Sequence, residues 1–148
     1  MRVYLDVCCL NRPFDNLVQE RIQFESDAVL AILARCQVSN WTLLSSEIID
    51  LEISKTKNID KREKALSLLS ISTEKLAFSE AARLQSIAFQ KNGIKPMDSL
   101  HLAIADDSKV DVLLTTDDDF LKAAKKMRLS IRVENPTTWY MEVMQNER

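Results

Sequence analysis

The chain contains one glycine, Gly93, and one histidine, His101. A single glycine excludes the Gly-rich loops that cradle phosphates in Walker and Rossmann nucleotide sites. A lone histidine offers no serine–histidine–acid pattern, and the cysteines have no recognisable partner spacing. The three cysteines are an odd number, and two of them, Cys8 and Cys9, are neighbours. This is no disulfide framework, and it suits a reducing cytosol. No apolar run approaches the roughly 20 residues of a membrane span. Met1-Arg2 leads straight into a strand-like segment without the apolar core of a signal peptide, so a cytoplasmic protein is expected. Charge is nearly balanced, with a net of −2. Binding to nucleic acid would therefore need a local patch rather than a global attraction.

What remains is an ordinary globular composition, 46% apolar and 28% charged, which argues against disorder. A length of 148 residues suits a single domain over 1–148 with a substantial core. The most informative stretch is Val112 to Phe120. An apolar run ends in Thr115-Thr116 and then Asp117-Asp118-Asp119, and an amphipathic segment follows to Met127. That predicts a buried strand, an acidic turn and a helix. A helix cap needs one acid, and adjacent carboxylates repel. Some of the three are candidates to hold a hard divalent cation, which takes oxygen ligands, provided other acids join them.

Arg2 to Val7 reads as a first strand. Asp6 interrupts the apolar run Leu5 to Leu10, where an unpaired carboxylate is costly. It is either a strand-end acid or a functional one, and the functional reading is the stronger. Asn11 to Asn16 is a turn-forming loop, and Leu17 to Val38 has helical spacing. Arg12 and Arg21 can contact phosphate, but pairing with Asp15, Glu20 or Glu25 is their expected role. Trp41 to Ser45 predicts a second strand, with Ser45-Ser46 capping a helix from Glu47 to about Lys55. Glu47 suits the first turn of that helix, while Glu52 lies deeper, between Leu51 and Ile53. Residue chemistry alone leaves the choice between these two acids open.

Asp60 and Glu63 resemble a capping box for a helix to about Ser70. Lys75 to Phe78 predicts a short strand. Ser79 then caps a helix to about Lys91, with Ala81, Leu84 and Ala88 on its apolar stripe, and Gly93 ends it. Pro96 opens a helix that is apolar on most sides and therefore buried. Asp98 lies in its first turn, as a cap acid or a ligand. His101 lies one turn on, expected as a hydrogen-bonded core residue rather than a ligand or base. Lys122, Lys125, Lys126 and Arg128 predict a basic helix, Ser130 to Val133 a last strand, and Pro136 a final helix. Residues 121–148 carry six basic and three acidic side chains, a local +3 that suits either a phosphate-facing patch or a solvated helix face.

Strands alternate with helices throughout, the signature of an α/β fold with a parallel sheet. In such a sheet the C-terminal strand ends share one edge, so Asp6 and Asp117 can converge there, joined by Glu52 and Asp98. Four close carboxylates do not all stay ionised unaided, and bound Mg²⁺ or Mn²⁺ relieves the conflict.

Four segments together resemble a PIN-domain ribonuclease, the family that includes the toxin halves of VapBC-type toxin–antitoxin pairs. They are Tyr4-Leu5-Asp6-Val7-Cys8-Cys9-Leu10, Ser46 to Ile53, Pro96-Met97-Asp98-Ser99-Leu100-His101-Leu102-Ala103, and Leu114 to Phe120. The resemblance covers nearly the whole chain. It implies a three-layer α/β/α sandwich on a central five-stranded parallel sheet, and Mg²⁺- or Mn²⁺-dependent cleavage of RNA. It also implies an antitoxin partner and a homodimer. Carried over residue by residue, it implies Asp6, Glu52, Asp98 and Asp117 as metal-binding catalytic acids, with Asp119 as a helper. Family spacing favours Glu52 over Glu47. Val7 and Cys8 depart from the family pattern, which usually has a small hydroxyl residue and often Asn at these positions. That departure motivates a rival expectation, a PIN-like RNA- or protein-binding module without catalysis. A small phosphohydrolase with Asp6 as nucleophile ranks last, because Cys8 occupies the place of its second aspartate.

Overall fold

The computed structural model describes residues 1–147. Five strands form one parallel sheet: β1 (Arg2–Leu5), β2 (Thr42–Ser46), β3 (Glu74–Leu76), β4 (Val112–Leu114) and β5 (Arg132–Glu134), in the order β3-β2-β1-β4-β5. Val3, Tyr4, Leu5, Leu43, Leu44 and Val112 to Leu114 are all buried. Successive strand residues point to opposite faces, so burial of consecutive positions means both faces are covered. The helices that cover them complete a three-layer α/β/α sandwich, as expected.

The helices are α1 (Val7–Asn11), α2 (Glu20–Val38), α3 (Glu47–Ser54), α4 (Ile59–Leu69), α5 (Glu80–Lys91), α6 (Pro96–Asp107), α7 (Asp118–Ala124) and α8 (Pro136–Asn146). A 3₁₀ turn, Arg12–Phe14, follows α1. The expected first strand thus stops at Leu5, and the expected loop after residue 10 is mostly helical. The cause is local: Asp6 caps α1 through the Cys9 N–H at 3.1 Å, which ends the strand and starts a helix. Ser46 and Ser79 cap α3 and α5 as predicted. The α4 cap is Asn58, not Asp60, because the Asn58 side chain accepts the Lys61 N–H while Asp60 pairs with Lys64.

Helix α5 buries Ala82, Ser86 and Phe89. The predicted stripe of Ala81, Leu84 and Ala88 instead faces outward. A serine can share the buried face because its hydroxyl bonds back to the Arg83 carbonyl at 2.7 Å, a pairing that polarity alone does not show. After α5 the chain turns through Gly93 at φ +95°. Gly93 donates to the Gln90 carbonyl and Ile94 to the Phe89 carbonyl, with Ile94 and Phe89 both buried. This is a Schellman stop. Nothing lies within 4 Å of a built Cβ at Gly93, so only the backbone resists a side chain. Gly93→Ala should therefore cost about 1 kcal/mol in urea unfolding, the left-handed penalty for an L-residue.

No helix among the described residues is long and apolar enough to cross a membrane.

Candidate functional site

The strand order reverses between β1 and β4. Chain order runs outward from β1 through β2 to β3, then returns to the other side of β1 for β4 and β5. A crevice forms outside the strand ends at such a point. Leu5 pairs with Leu114, and the Asp6 N–H donates to the Leu114 carbonyl at 3.2 Å. Asp6 and Thr115 therefore stand side by side where the two strands end.

The acids are anchored in a common way. Asp6 Oδ1 accepts the Cys9 N–H and the Cys8 thiol, the latter at 2.7 Å. Asp117 caps α7, its Oδ1 accepting the N–H groups of Asp119 and Phe120 at 3.0 and 3.2 Å. Glu52 Oε1 meets His101 Nε2 at 2.6 Å. Asp6, Asp117 and Glu52 thus each have one oxygen held by the fold. Asp98, in the first turn of α6, has no side-chain hydrogen bond among the described residues. Its carboxyl is pushed up to about 6, by burial first and then by Asp117 and Asp6, with a smaller push from Glu52; His101 works against them. Asp98 therefore lies within the field of the other three acids.

Glu47 does not join them. It is exposed on the first turn of α3 and accepts the Phe78 N–H at 3.2 Å. The three successive aspartates divide their work. Asp117 caps, Asp118 takes a two-pronged pair from Arg21 at 2.7 Å, and Asp119 is exposed beside a small cleft that Asp98 also lines. Arg12 and Arg21 pair with acids as expected. Both reach the buried Glu25, which Asn135 also holds at 2.6 Å.

The chain of hydrogen bonds behind Glu52 was not legible in the sequence. Tyr4, buried in β1, places its hydroxyl 2.6 Å from His101 Nδ1 and 2.9 Å from Ser46 Oγ. A carboxylate only accepts, so His101 Nε2 carries the proton it gives Glu52. In the neutral ring Nδ1 then accepts from Tyr4, and Tyr4 accepts from Ser46. One signal was available: a tyrosine in an otherwise aliphatic strand needs a partner for its hydroxyl.

Cys8 also has a place. Its sulfur accepts the Thr116 N–H at 3.4 Å and lies 3.5 Å from Thr115 Oγ1. Burial raises Asp6 well above the usual carboxylate range, with Cys8 adding to the rise. The Cys8 thiol is drawn down to about 6, chiefly by hydrogen bonding with Cys9 and further by Asp6 and the two threonines, against the effect of burial. Side-chain donor atoms of Asp6, Cys8 and Cys9 all lie within 4.8 Å of one another, the one such donor group among the described residues. Among the described residues no three carboxylates approach that closely.

The basic C-terminal region is partly neutralised. Lys125 and Arg132 pair with Glu134, and Arg132 also pairs with Glu142. Lys122, Lys126 and Arg128 are exposed without an ion pair among the described residues.

The PIN-domain family model matches residues 3–126. The chain is similar in structure to VapBC2 from Rickettsia felis, which was crystallised bound to a DNA fragment from its promoter. Identity is 20% and the TM-score 0.59, over 91% of this chain and 98% of that one. It is also similar to VapBC-1 from nontypeable Haemophilus influenzae, at 18% identity and a TM-score of 0.58, over 93% of this chain and 99% of that one. At such identities the likeness is one of fold. No curated protein sequence matches this chain. The family match spans the strand-end acids from Asp6 to Asp119, and the chain belongs to the PIN-domain family, a family of nucleases.

Proposed function

We propose that the chain is a Mg²⁺- or Mn²⁺-dependent endoribonuclease that hydrolyses phosphodiester bonds of single-stranded or structured RNA. The observation that carries this reading is the shared field at the sheet edge. Asp98 is driven up to about 6 by burial and by the carboxylates of Asp117, Asp6 and Glu52. An arrangement of all-oxygen donors that resist joint ionisation fits a hard divalent cation. Asp6, Glu52, Asp98 and Asp117 would hold it, with Asp119 at the rim. A cation bound there would activate a water and stabilise charge on the phosphodiester. The chain's own contribution is to aim the acids. The Cys9 N–H, His101 and the start of α7 each fix one oxygen of an acid.

In a second part of the proposal, the chain is the toxin of a toxin–antitoxin pair, restrained by a separate antitoxin chain. The VapBC folds matched above support this. A homodimer is supported by the outward apolar stripe of α5, where Leu84 and Ile87 are 56% and 40% exposed.

The test is cleavage of a mixed single-stranded RNA with Mg²⁺, with Mn²⁺ and with excess chelator. Metal-dependent cutting is expected. Failure of the well-folded chain to cut under either metal would favour the binding module, a reading to which the Cys8 contact on Asp6 lends weight. Light scattering in the same preparation reads the dimer.

The cluster also predicts a pH effect on stability in chelator. Asp98 binds its proton more tightly folded than unfolded, so its ionisation opposes folding. That penalty is fully present above about 6 and disappears as pH falls toward the ordinary value of 3.8. A shift of this size corresponds to at most about 3 kcal/mol. Only about half of it is recovered between pH 7 and pH 5, and partial exposure brings the expected gain there to about 1 kcal/mol or less. Below about pH 4.5, Glu134, held below its usual value by Asn135 and Lys125 despite burial, loses its contribution and offsets part of this gain. Thermal melts should rise in stability from pH 7 to pH 5, and a monotonic fall over that range would contradict it.

A further inference from the structure

The tightest group of metal-ligating atoms among the described residues is sulfur-rich. Asp6, Cys8 and Cys9 offer one carboxylate oxygen and two sulfurs, all within 4.8 Å of one another. Cys8 is half-buried and reachable, with its sulfur 2.7 Å from Asp6 Oδ1. Cys9 closes the set from the core, its thiol donating to the Leu114 carbonyl at 3.3 Å. Both cysteines are free of disulfides, and the backbone holding the three residues is set by the β1 end and the first turn of α1.

Hard cations select oxygen shells, whereas thiolate donors select zinc and softer ions. Zn–S bonds of about 2.3 Å and Zn–O bonds of about 2.0 Å in a tetrahedron put sulfur and oxygen roughly 3.5 Å apart. That lies between the present 2.7 Å contact and the 4.8 Å limit of the group. Thr115 Oγ1, 3.5 Å from Cys8 Sγ, keeps the neighbourhood polar enough for a water to fill the fourth position.

We propose that Asp6, Cys8 and Cys9 form a binding site for a thiophilic divalent cation, Zn²⁺ or Cd²⁺. Each thiol that binds gives its proton to solvent, so uptake releases up to two protons. Occupancy takes Asp6 out of the carboxylate cluster, and the sheet edge then holds a thiophilic ion in place of a hard one. The nuclease reading shares Asp6 with this site and nothing else. The test below reads sulfur–metal bonding directly, so its failure leaves that reading standing, and loss of that reading leaves the site standing.

The experiment is titration of the full chain with Cd²⁺, followed by sulfur-to-cadmium charge-transfer absorbance in the near ultraviolet. A band saturating at one equivalent is expected, displaced by Zn²⁺ and not produced by Mg²⁺. Cys8→Ser should weaken binding at least about tenfold, a loss already typical of changes outside the ligand set. Cys36→Ser, on α2, should leave the band intact. A mutation-free arm guards against misfolding: Zn²⁺ should protect Cys8 of the wild-type chain from alkylation, mapped by mass spectrometry, and leave Cys36 as reactive as before. A folded wild-type chain with no band, a full-strength band in Cys8→Ser, or Cys8 alkylation unchanged by Zn²⁺ would each overturn the proposal.

Discussion

Asp98→Asn should reduce RNA cleavage on the order of a thousandfold or more, the size of several kcal/mol of lost charge stabilisation in the transition state. The same variant should be more stable than the parent chain in chelator at pH 7, by roughly 1–2 kcal/mol. The two effects have one cause. Asp98 is held at about 6 by burial and by Asp117, Asp6 and Glu52, so its charge is costly unless a cation offsets it. An amide of the same shape removes the charge and with it the ligand. Among the described residues Asp98 makes no side-chain hydrogen bond, so the change breaks no contact of the fold. Asp6→Asn is the companion. Asparagine caps a helix as well as aspartate does, so α1 should survive while cleavage is lost. Single-turnover cleavage and urea melts on the same preparations measure both effects. Unchanged cleavage in both variants would remove these acids from the reaction, and lower stability in Asp98→Asn would remove the electrostatic argument.

His101→Leu should lower stability by about 2–3 kcal/mol and cleavage roughly ten- to hundredfold. The ring is buried between Tyr4 and Glu52, at 2.6 Å from each. Leucine leaves the Tyr4 hydroxyl with Ser46 alone and frees the Glu52 carboxylate to rotate toward water. Buried chains of this kind lose more than one bond when a middle member is removed. His101 is a positioning residue in this reading, because it acts on Glu52 and not on the substrate. His101→Gln keeps an N–H donor and should recover part of the cleavage, which a purely packing role would not predict. Tyr4→Phe removes the donor to Nδ1 and should cost less in cleavage than His101→Leu. Equal cleavage in the leucine variant and the parent would show that Glu52 needs no such support.

The two variants probe different layers of information. The acids themselves stand out in the sequence because each is misplaced by local criteria. Asp6 interrupts an apolar run, Asp98 opens a buried helix, and Asp117 ends a strand. The network behind them does not stand out, because Tyr4, Ser46 and His101 are separated by long stretches of chain and each has an ordinary local role. Residue chemistry alone left Glu47 and Glu52 open, because both lie on one eight-residue helix with similar neighbours. In the structure Glu52 meets His101 on α6, while Glu47 accepts the Phe78 N–H.

By itself the sequence determined the alternation of strands and helices and the caps at Ser46 and Ser79. It also determined the stop at Gly93 and the absence of nucleotide loops and disulfides. These are short-range properties, set by side-chain periodicity, capping chemistry and backbone freedom within a few residues. Only the tertiary structure decided which strand lies beside β1, and hence that Asp6 meets the turn after β4. It also decided that Asp118 serves Arg21 while Asp117 serves the helix, and that Cys8 leans on Asp6. Side-chain pairings in this fold join residues up to 112 positions apart. They follow from how the buried faces pack and how every buried polar group finds a partner, and no local pattern encodes either.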